Sequence, residues 1–110
     1  MVDYRVAVLL SAYNGEKYIK AQIESILGQD DIEYLTLIVR NDGSTDSTLQ
    51  ILQDIREANS NVEVIDGPNI GLVASFFELL EYAAKRALQL SGKFIPWRVV
   101  TISTDGKILD

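Results

Sequence analysis

Apolar and polar positions fall into blocks of two different periods along the chain. Tyr4 to Leu10 is an almost unbroken apolar run, as a strand buried on both faces requires, and Ser11-Ala12-Tyr13-Asn14-Gly15 ends it. From Glu16 onward Ile19, Ile23, Ile26 and Leu27 recur at helical spacing, which predicts a helix capped by Asn14 and released at Gly28. Tyr34 to Arg40 returns to the strand pattern. Asn41-Asp42-Gly43-Ser44-Thr45-Asp46 then interrupts it, and a second helix follows from Ser47 to Ala58 with Leu49, Leu52 and Ile55 on one face. Val62 to Ile65 predicts a short third strand, with Asp66-Gly67-Pro68-Asn69 as a dense turn after it. Ile70-Gly71-Leu72 opens a third helix carrying Phe76, Phe77, Leu79, Leu80, Ala83, Ala84 and Leu88 and ending at Gly92. The β-branched run from Val99 to Ile102 predicts a fourth strand.

This order, βαβαβαβ, predicts an α/β fold of one domain over residues 1–110: a three-layer α/β/α sandwich around a mainly parallel sheet with right-handed crossovers. In such sheets ligands bind outside the carboxyl ends of the strands. The loops Ser11 to Gly15, Asn41 to Asp46 and Asp66 to Gly71 should therefore share one edge. They offer Ser11, Tyr13, Asn14, Asp42, Asp46 and Asn69, with glycines that let a ligand approach the backbone. A carboxylate such as Asp42 can accept the N–H of a planar base. The same Asn-Asp-Gly-Ser stretch is also ordinary turn chemistry, in which Gly43 supplies a positive φ and Ser44, Thr45 or Asp46 caps a helix.

Composition narrows the chemistry. The formal net charge is −6, and no basic stripe interrupts it, which argues against sequence-independent nucleic-acid binding. Cysteine and histidine are both missing, so disulfides, thiolate nucleophiles, Ser-His triads and His- or Cys-ligated metal sites are excluded; carboxylates, hydroxyls and lysines must carry any reaction. The apolar runs are too short for a secretory signal or a bilayer span, so a cytoplasmic protein is expected, with attachment to the inner face of a membrane left open.

Four stretches in order, Val8 to Ile19, Gln22 to Gln29, Arg40 to Thr48 and Asn69-Ile70-Gly71, resemble the nucleotide-binding half of family 2 glycosyltransferases, in particular the bacterial polysaccharide branch that includes rhamnosyltransferases. The resemblance implies a GT-A fold that binds a nucleotide-diphosphate sugar, carrying UDP or dTDP, and transfers the sugar to a glycan acceptor. It implies a nucleotide-binding set of Ser11, Ala12, Tyr13, Asn14, Glu16, Asp42, Gly43, Ser44, Asn69 and Gly71. Ser11 would meet the base or ribose through its backbone, Tyr13 would lie beside the base, and Asp42 matches the aspartate that accepts from the base N3–H. Glu16 belongs to the same motif, without an assigned contact.

One departure stands out. The family carries an Asp-x-Asp run after the third helix that holds Mg²⁺ or Mn²⁺ against the diphosphate, whereas this chain has only Asp105 in Ser103-Thr104-Asp105-Gly106, a weak metal ligand at best and more readily a turn residue. The metal expected for the family is accordingly doubtful here. An acceptor half and a catalytic base are also missing from these 110 residues, so the chain reads as a truncated part that does not turn over alone and is prone to self-association through apolar surface. The alternative is a non-enzymatic nucleotide-binding or interaction module of the same fold. A phosphoacceptor receiver domain would need acidic residues after the first strand, where Ser11-Ala12-Tyr13-Asn14 stands, and a dinucleotide-binding oxidoreductase would need a Gly-x-Gly-x-x-Gly turn.

Overall fold

Parallel strands need covered crossovers, and the helical blocks between the apolar runs supply them. The computed structural model describes residues 5–28, 35–91, 97–103 and 108–109. In chain order they form β1 (Arg5–Ala12), α1 (Ile19–Leu27), β2 (Leu35–Asp42), α2 (Thr48–Ala58), β3 (Val62–Gly67), α3 (Leu72–Ser91), β4 (Trp97–Ser103) and β5 (Ile108–Leu109). The sheet order is β3-β2-β1-β4-β5. The first four strands run parallel, and β5, which the sequence reading did not foresee, adds antiparallel to β4 through Thr101 opposite Leu109.

Strand alternation sorts the side chains onto two faces. Val8, Leu10 and Ala12 of β1 and Leu35, Leu37 and Val39 of β2 pack against Ile19, Ile23 and Ile26 of α1 and Leu52 and Ile55 of α2. Ala7, Leu9 and Ile38 turn the other way, onto Phe76 and Leu79 of α3. Helices therefore cover both faces, as the three-layer expectation requires. Farther along α3, Glu63 of β3 accepts from the Tyr82 hydroxyl and from Arg86, fastening the helix to the edge strand.

Several boundaries differ from the sequence reading. β1, β2 and β3 each run two residues past the predicted end, because parallel pairing continues through Ser11 opposite Arg40, Ala12 opposite Asn41, Asn41 opposite Asp66 and Asp42 opposite Gly67. The predicted turn at Asp66-Gly67 is thus the last part of β3. Helix α1 begins at Ile19 with Tyr18 at its N-cap, not at Glu16 under an Asn14 cap. Gly92, the predicted stop of α3, lies outside the described residues. Among the described residues no helix is long and apolar enough to cross a membrane.

Candidate functional site

The three loops meet at the carboxyl edge of β1, β2 and β3, and the first two are tied together by reciprocal hydrogen bonds. Asn14 adopts a left-handed φ of 48°, which Asn tolerates better than most residues. Its N–H donates to Ser44 Oγ at 2.9 Å, and its Oδ1 accepts from the Thr45 N–H at 2.8 Å. Gly15 N–H donates to Thr48 Oγ1 at 2.9 Å, Glu16 N–H to Asp46 Oδ2 at 3.3 Å, and Ser47 N–H to Glu16 Oε2 at 3.0 Å. Asn14 and Glu16 are thereby explained as braces between loops. Asp46 also accepts from the N–H of Thr48 at 2.9 Å and from its hydroxyl, and so satisfies the open start of α2. Desolvation opposes ionisation of Asp46, but the hydrogen bonds from Thr48 and Glu16 outweigh it and hold its carboxyl below the ordinary 3.8.

The second and third loops are joined through Asp42, whose residue is 2% exposed. Its Oδ1 accepts from Arg40 Nη1 at 2.6 Å and from Ile70 N–H at 2.9 Å; its Oδ2 accepts from Gly71 N–H at 3.1 Å and from Asn69 Nδ2 at 3.3 Å. These four donors fill the acceptor capacity of the carboxylate. Asn69 Nδ2 also bonds the Asp42 carbonyl at 3.0 Å, so its contact with Oδ2 is the weaker half of a shared bond. Gly43 has φ 67°, and a Cβ there would stand 2.5 Å from Asn69 N, so only glycine lets the two loops abut.

Beneath Asp42 lies a residue that the sequence reading left without a role. Arg40 is completely buried, yet its Nε donates to Glu78 Oε2 at 2.8 Å, Nη1 also to Ser75 Oγ at 3.3 Å, and Nη2 to the Pro68 carbonyl at 3.1 Å. Ser11 joins the same network, donating its hydroxyl to Ser75 Oγ at 2.7 Å. A Cβ on Gly67 would fall 2.4 Å from Arg40 Nη2, so the glycine at the end of β3 makes room for the guanidinium. A signal existed: Arg40 and Asp42 are two apart in a strand and so share a face. Its partners Ser75 and Glu78, more than thirty residues away, had no local signature.

The sequence-predicted residues thus divide by what they join and where they lie. Asn14, Glu16 and Ser44 join the first loop to the second, and Asp42, Gly43, Asn69 and Gly71 join the second to the third. Ser11 and Ala12 are buried in β1, with Ser11 turned toward α3 and Ala12 in the core against α1 and α2. Tyr13 stands 48% exposed on the rim, free to present its ring. Asp105 lies outside the described residues. Among the described residues no three carboxylates, histidines or cysteines converge as a metal site would need. A separate cavity of about 590 Å³ between α1 and α2, floored by Ile23, Leu27, Ile51 and Ile55, includes none of the loop residues.

Against known proteins, the sequence pattern described as glycosyl transferase family 2 matches residues 7–89. An uncharacterized glycosyltransferase of Haemophilus influenzae is 42% identical over 71 residues, covering 64% of this chain and 22% of its own length. Chondroitin synthase of Pasteurella multocida is 31% identical over 78 residues, 71% of this chain and 8% of that protein. The crystal structure of S. aureus TarS 1-349 in complex with UDP-GlcNAc superimposes with a TM-score of 0.69 at 29% identity, over 92% of this chain and 26% of that one. The chain spans about a quarter or less of the length of each.

Proposed function

Because the chain belongs to glycosyl transferase family 2, we propose that its three-loop edge binds the nucleotide of a nucleotide-diphosphate sugar for transfer to a glycan acceptor. In that transfer the acceptor hydroxyl gives its proton to a base and its oxygen bonds to the anomeric carbon while the bond from that carbon to the diphosphate breaks, and the nucleoside diphosphate leaves with the electron pair. The part of the work assigned to these residues is donor binding. The observation that carries the reading is the joining of the second and third loops through Asp42, with the first loop, which carries the exposed Tyr13, braced against the second.

Tyr13 offers a flat apolar face to a base, and Asp42 offers an acceptor to its ring N–H. Since Asp42 is already saturated, the base enters by exchange: Asn69 Nδ2 gives up its 3.3 Å contact with Oδ2, keeps its bond to the Asp42 carbonyl, and the base N–H takes its place. Uracil and thymine present the same N–H, and the UDP-GlcNAc bound by TarS favours a UDP-sugar over a dTDP-sugar here. Backbone N–H groups at the start of α3 give the otherwise acidic edge a local attraction for anionic phosphate. The exposed apolar row Val73, Phe77 and Leu80 on α3 favours self-association of the 110-residue chain, read as a concentration-dependent diffusion coefficient.

The test is an amide NMR titration of the isotope-labelled chain with UDP and dTDP, each with and without Mg²⁺. Shifts confined to Ser11 to Gly15, Asn41 to Ser44 and Asn69 to Gly71, with the groove between α1 and α2 silent, are expected. An absence of shifts at millimolar nucleotide would overturn the reading.

A further inference from the structure

We propose that Asn14 is a modification site: the Asn14-Gly15 peptide is where this chain deamidates, at a rate held down by the brace to the second loop, and the change then undoes that brace. Deamidation requires a main-chain nitrogen to reach the carboxamide of the residue before it. That nitrogen loses its proton to hydroxide and attacks the asparagine Cγ. The carboxamide nitrogen departs with the electron pair of the broken bond, takes a proton from water and leaves as ammonia, and a five-membered imide remains. Water then opens the ring at either carbonyl, giving aspartate or, with the main chain rerouted through the side chain, isoaspartate. A side chain on the following residue crowds the attack, and glycine has none. Asn14 is followed by Gly15, whereas Asn41, Asn59, Asn61 and Asn69 are followed by Asp42, Ser60, Val62 and Ile70.

The fold places two obstacles before this reaction, although Asn14 itself is exposed. Gly15 is buried, and its N–H points at Thr48 Oγ1 at 2.9 Å, so hydroxide is kept from the proton and the lone pair it would leave points at Thr48. The carboxamide is held too. Its Oδ1 accepts from Thr45 N–H at 2.8 Å, while Asn14 N–H donates to Ser44 Oγ at 2.9 Å. Ring closure therefore waits for the brace to open locally. Isoaspartate adds one carbon to the main chain between the Asn14 and Gly15 N–H groups, so the bonds to Ser44 and Thr48 can no longer both form. Aspartate keeps the acceptor but adds a negative charge to a brace that already holds Glu16 and Asp46. Either product loosens the first loop from the second and disassembles the edge on which donor binding was proposed.

The test ages the intact chain at mildly alkaline pH and follows each asparagine by peptide mapping and mass spectrometry. Asn14 is expected to convert first, and about tenfold or more slowly than in a free peptide spanning Ser11 to Tyr18, because its hydrogen bonds must open before the ring can close. T48V removes the acceptor of the Gly15 N–H at nearly constant shape, and S44A removes that of the Asn14 N–H. Each is expected to speed conversion about threefold or more over the intact chain. L37A, destabilised in the core away from the brace, reports what global unfolding alone contributes and is expected to lag behind both. In the aged chain the amides of Ser44, Thr45 and Thr48 are expected to shift in NMR spectra recorded without any ligand.

Conversion of another asparagine ahead of Asn14, an intact chain as fast as the free peptide, or rates in T48V and S44A no higher than in L37A would each overturn the inference. S44A, at a half-buried position, carries that comparison alone should T48V fail to fold. Unshifted Ser44, Thr45 and Thr48 amides in a fully converted chain would overturn the claim that the change undoes the brace.

Discussion

On the face of the sheet toward α1 and α2, β1 and β2 present Val8, Leu10, Ala12, Leu35, Leu37 and Val39, an apolar surface that gives way to a polar side chain only at Asn41. On the face toward α3 the same two strands present Ala7, Leu9 and Ile38, then turn to Ser11, Arg40 and Asp42 while still buried. Apolar burial is non-directional and tolerates swaps of similar volume. Buried polar groups need partners at set angles, so one change there orphans several atoms at once. The first face can thus keep the fold while the second keeps the site, and the same strands serve both because their side chains alternate.

The sharpest way to break that division is Asp42→Ala, which leaves Arg40 buried without its nearest counter-charge. A loss of about 3–5 kcal/mol in unfolding free energy, read from denaturant melts, is expected, together with loss of the UDP-induced shifts. Leu37→Ala, completely buried on the other face, should cost about 2–5 kcal/mol through cavity formation. Its remaining folded population, measured by the same titration, should keep its preference between nucleotides. Gly67→Ala drives a methyl group toward Arg40 Nη2 and should cost about 1–3 kcal/mol, with a loss of nucleotide binding that Leu37→Ala does not show at matched stability.

Asn14→Ala removes the Oδ1 contact with Thr45 and leaves a β-carbon at φ 48°; about 1–2 kcal/mol is expected, and less for Asn14→Gly, which relaxes the backbone. The smallest effect is on pH. Because the folded carboxyl of Asp46 lies below the ordinary 3.8, its contribution is present in full above that value and fades as pH falls through the lowered one. Denaturant midpoints of the parent chain should drop in that acid range by slightly more than those of Asp46→Asn.

The alternation of strands and helices was legible because apolar period reports burial directly: Ile19, Ile23 and Ile26 and the pair Leu52 and Ile55 all lie in the core they were expected to line. Asp46 was legible as a helix-start residue, since it needs only the Thr48 backbone two residues on, although the N-cap position itself falls to Ser47. The strand ends were misjudged where polarity was taken for a turn. Ser11, Asn41 and Asp66 are polar yet still pair in the sheet, and Asn41 donates to Asp66 Oδ1 across two strands at 2.8 Å. Asn14 looked like a cap because local rules have no access to Ser44 and Thr45, thirty residues away. Arg40 was overlooked for the same reason: a cation in an apolar strand reads as an edge residue until Glu78, Ser75 and Pro68 arrive from other elements.

The bonds between Asn14 to Glu16 and Ser44 to Thr48 bear on how this edge can be rebuilt. Each loop supplies donors whose acceptors stand in the other, so the two segments form a single exchangeable cassette. Grafting the first loop of a relative onto this scaffold would leave its new backbone facing strangers. Grafting both together would carry the lock along with its key, and a chimera designed to alter donor choice must cross over before Ser11 and after Thr48.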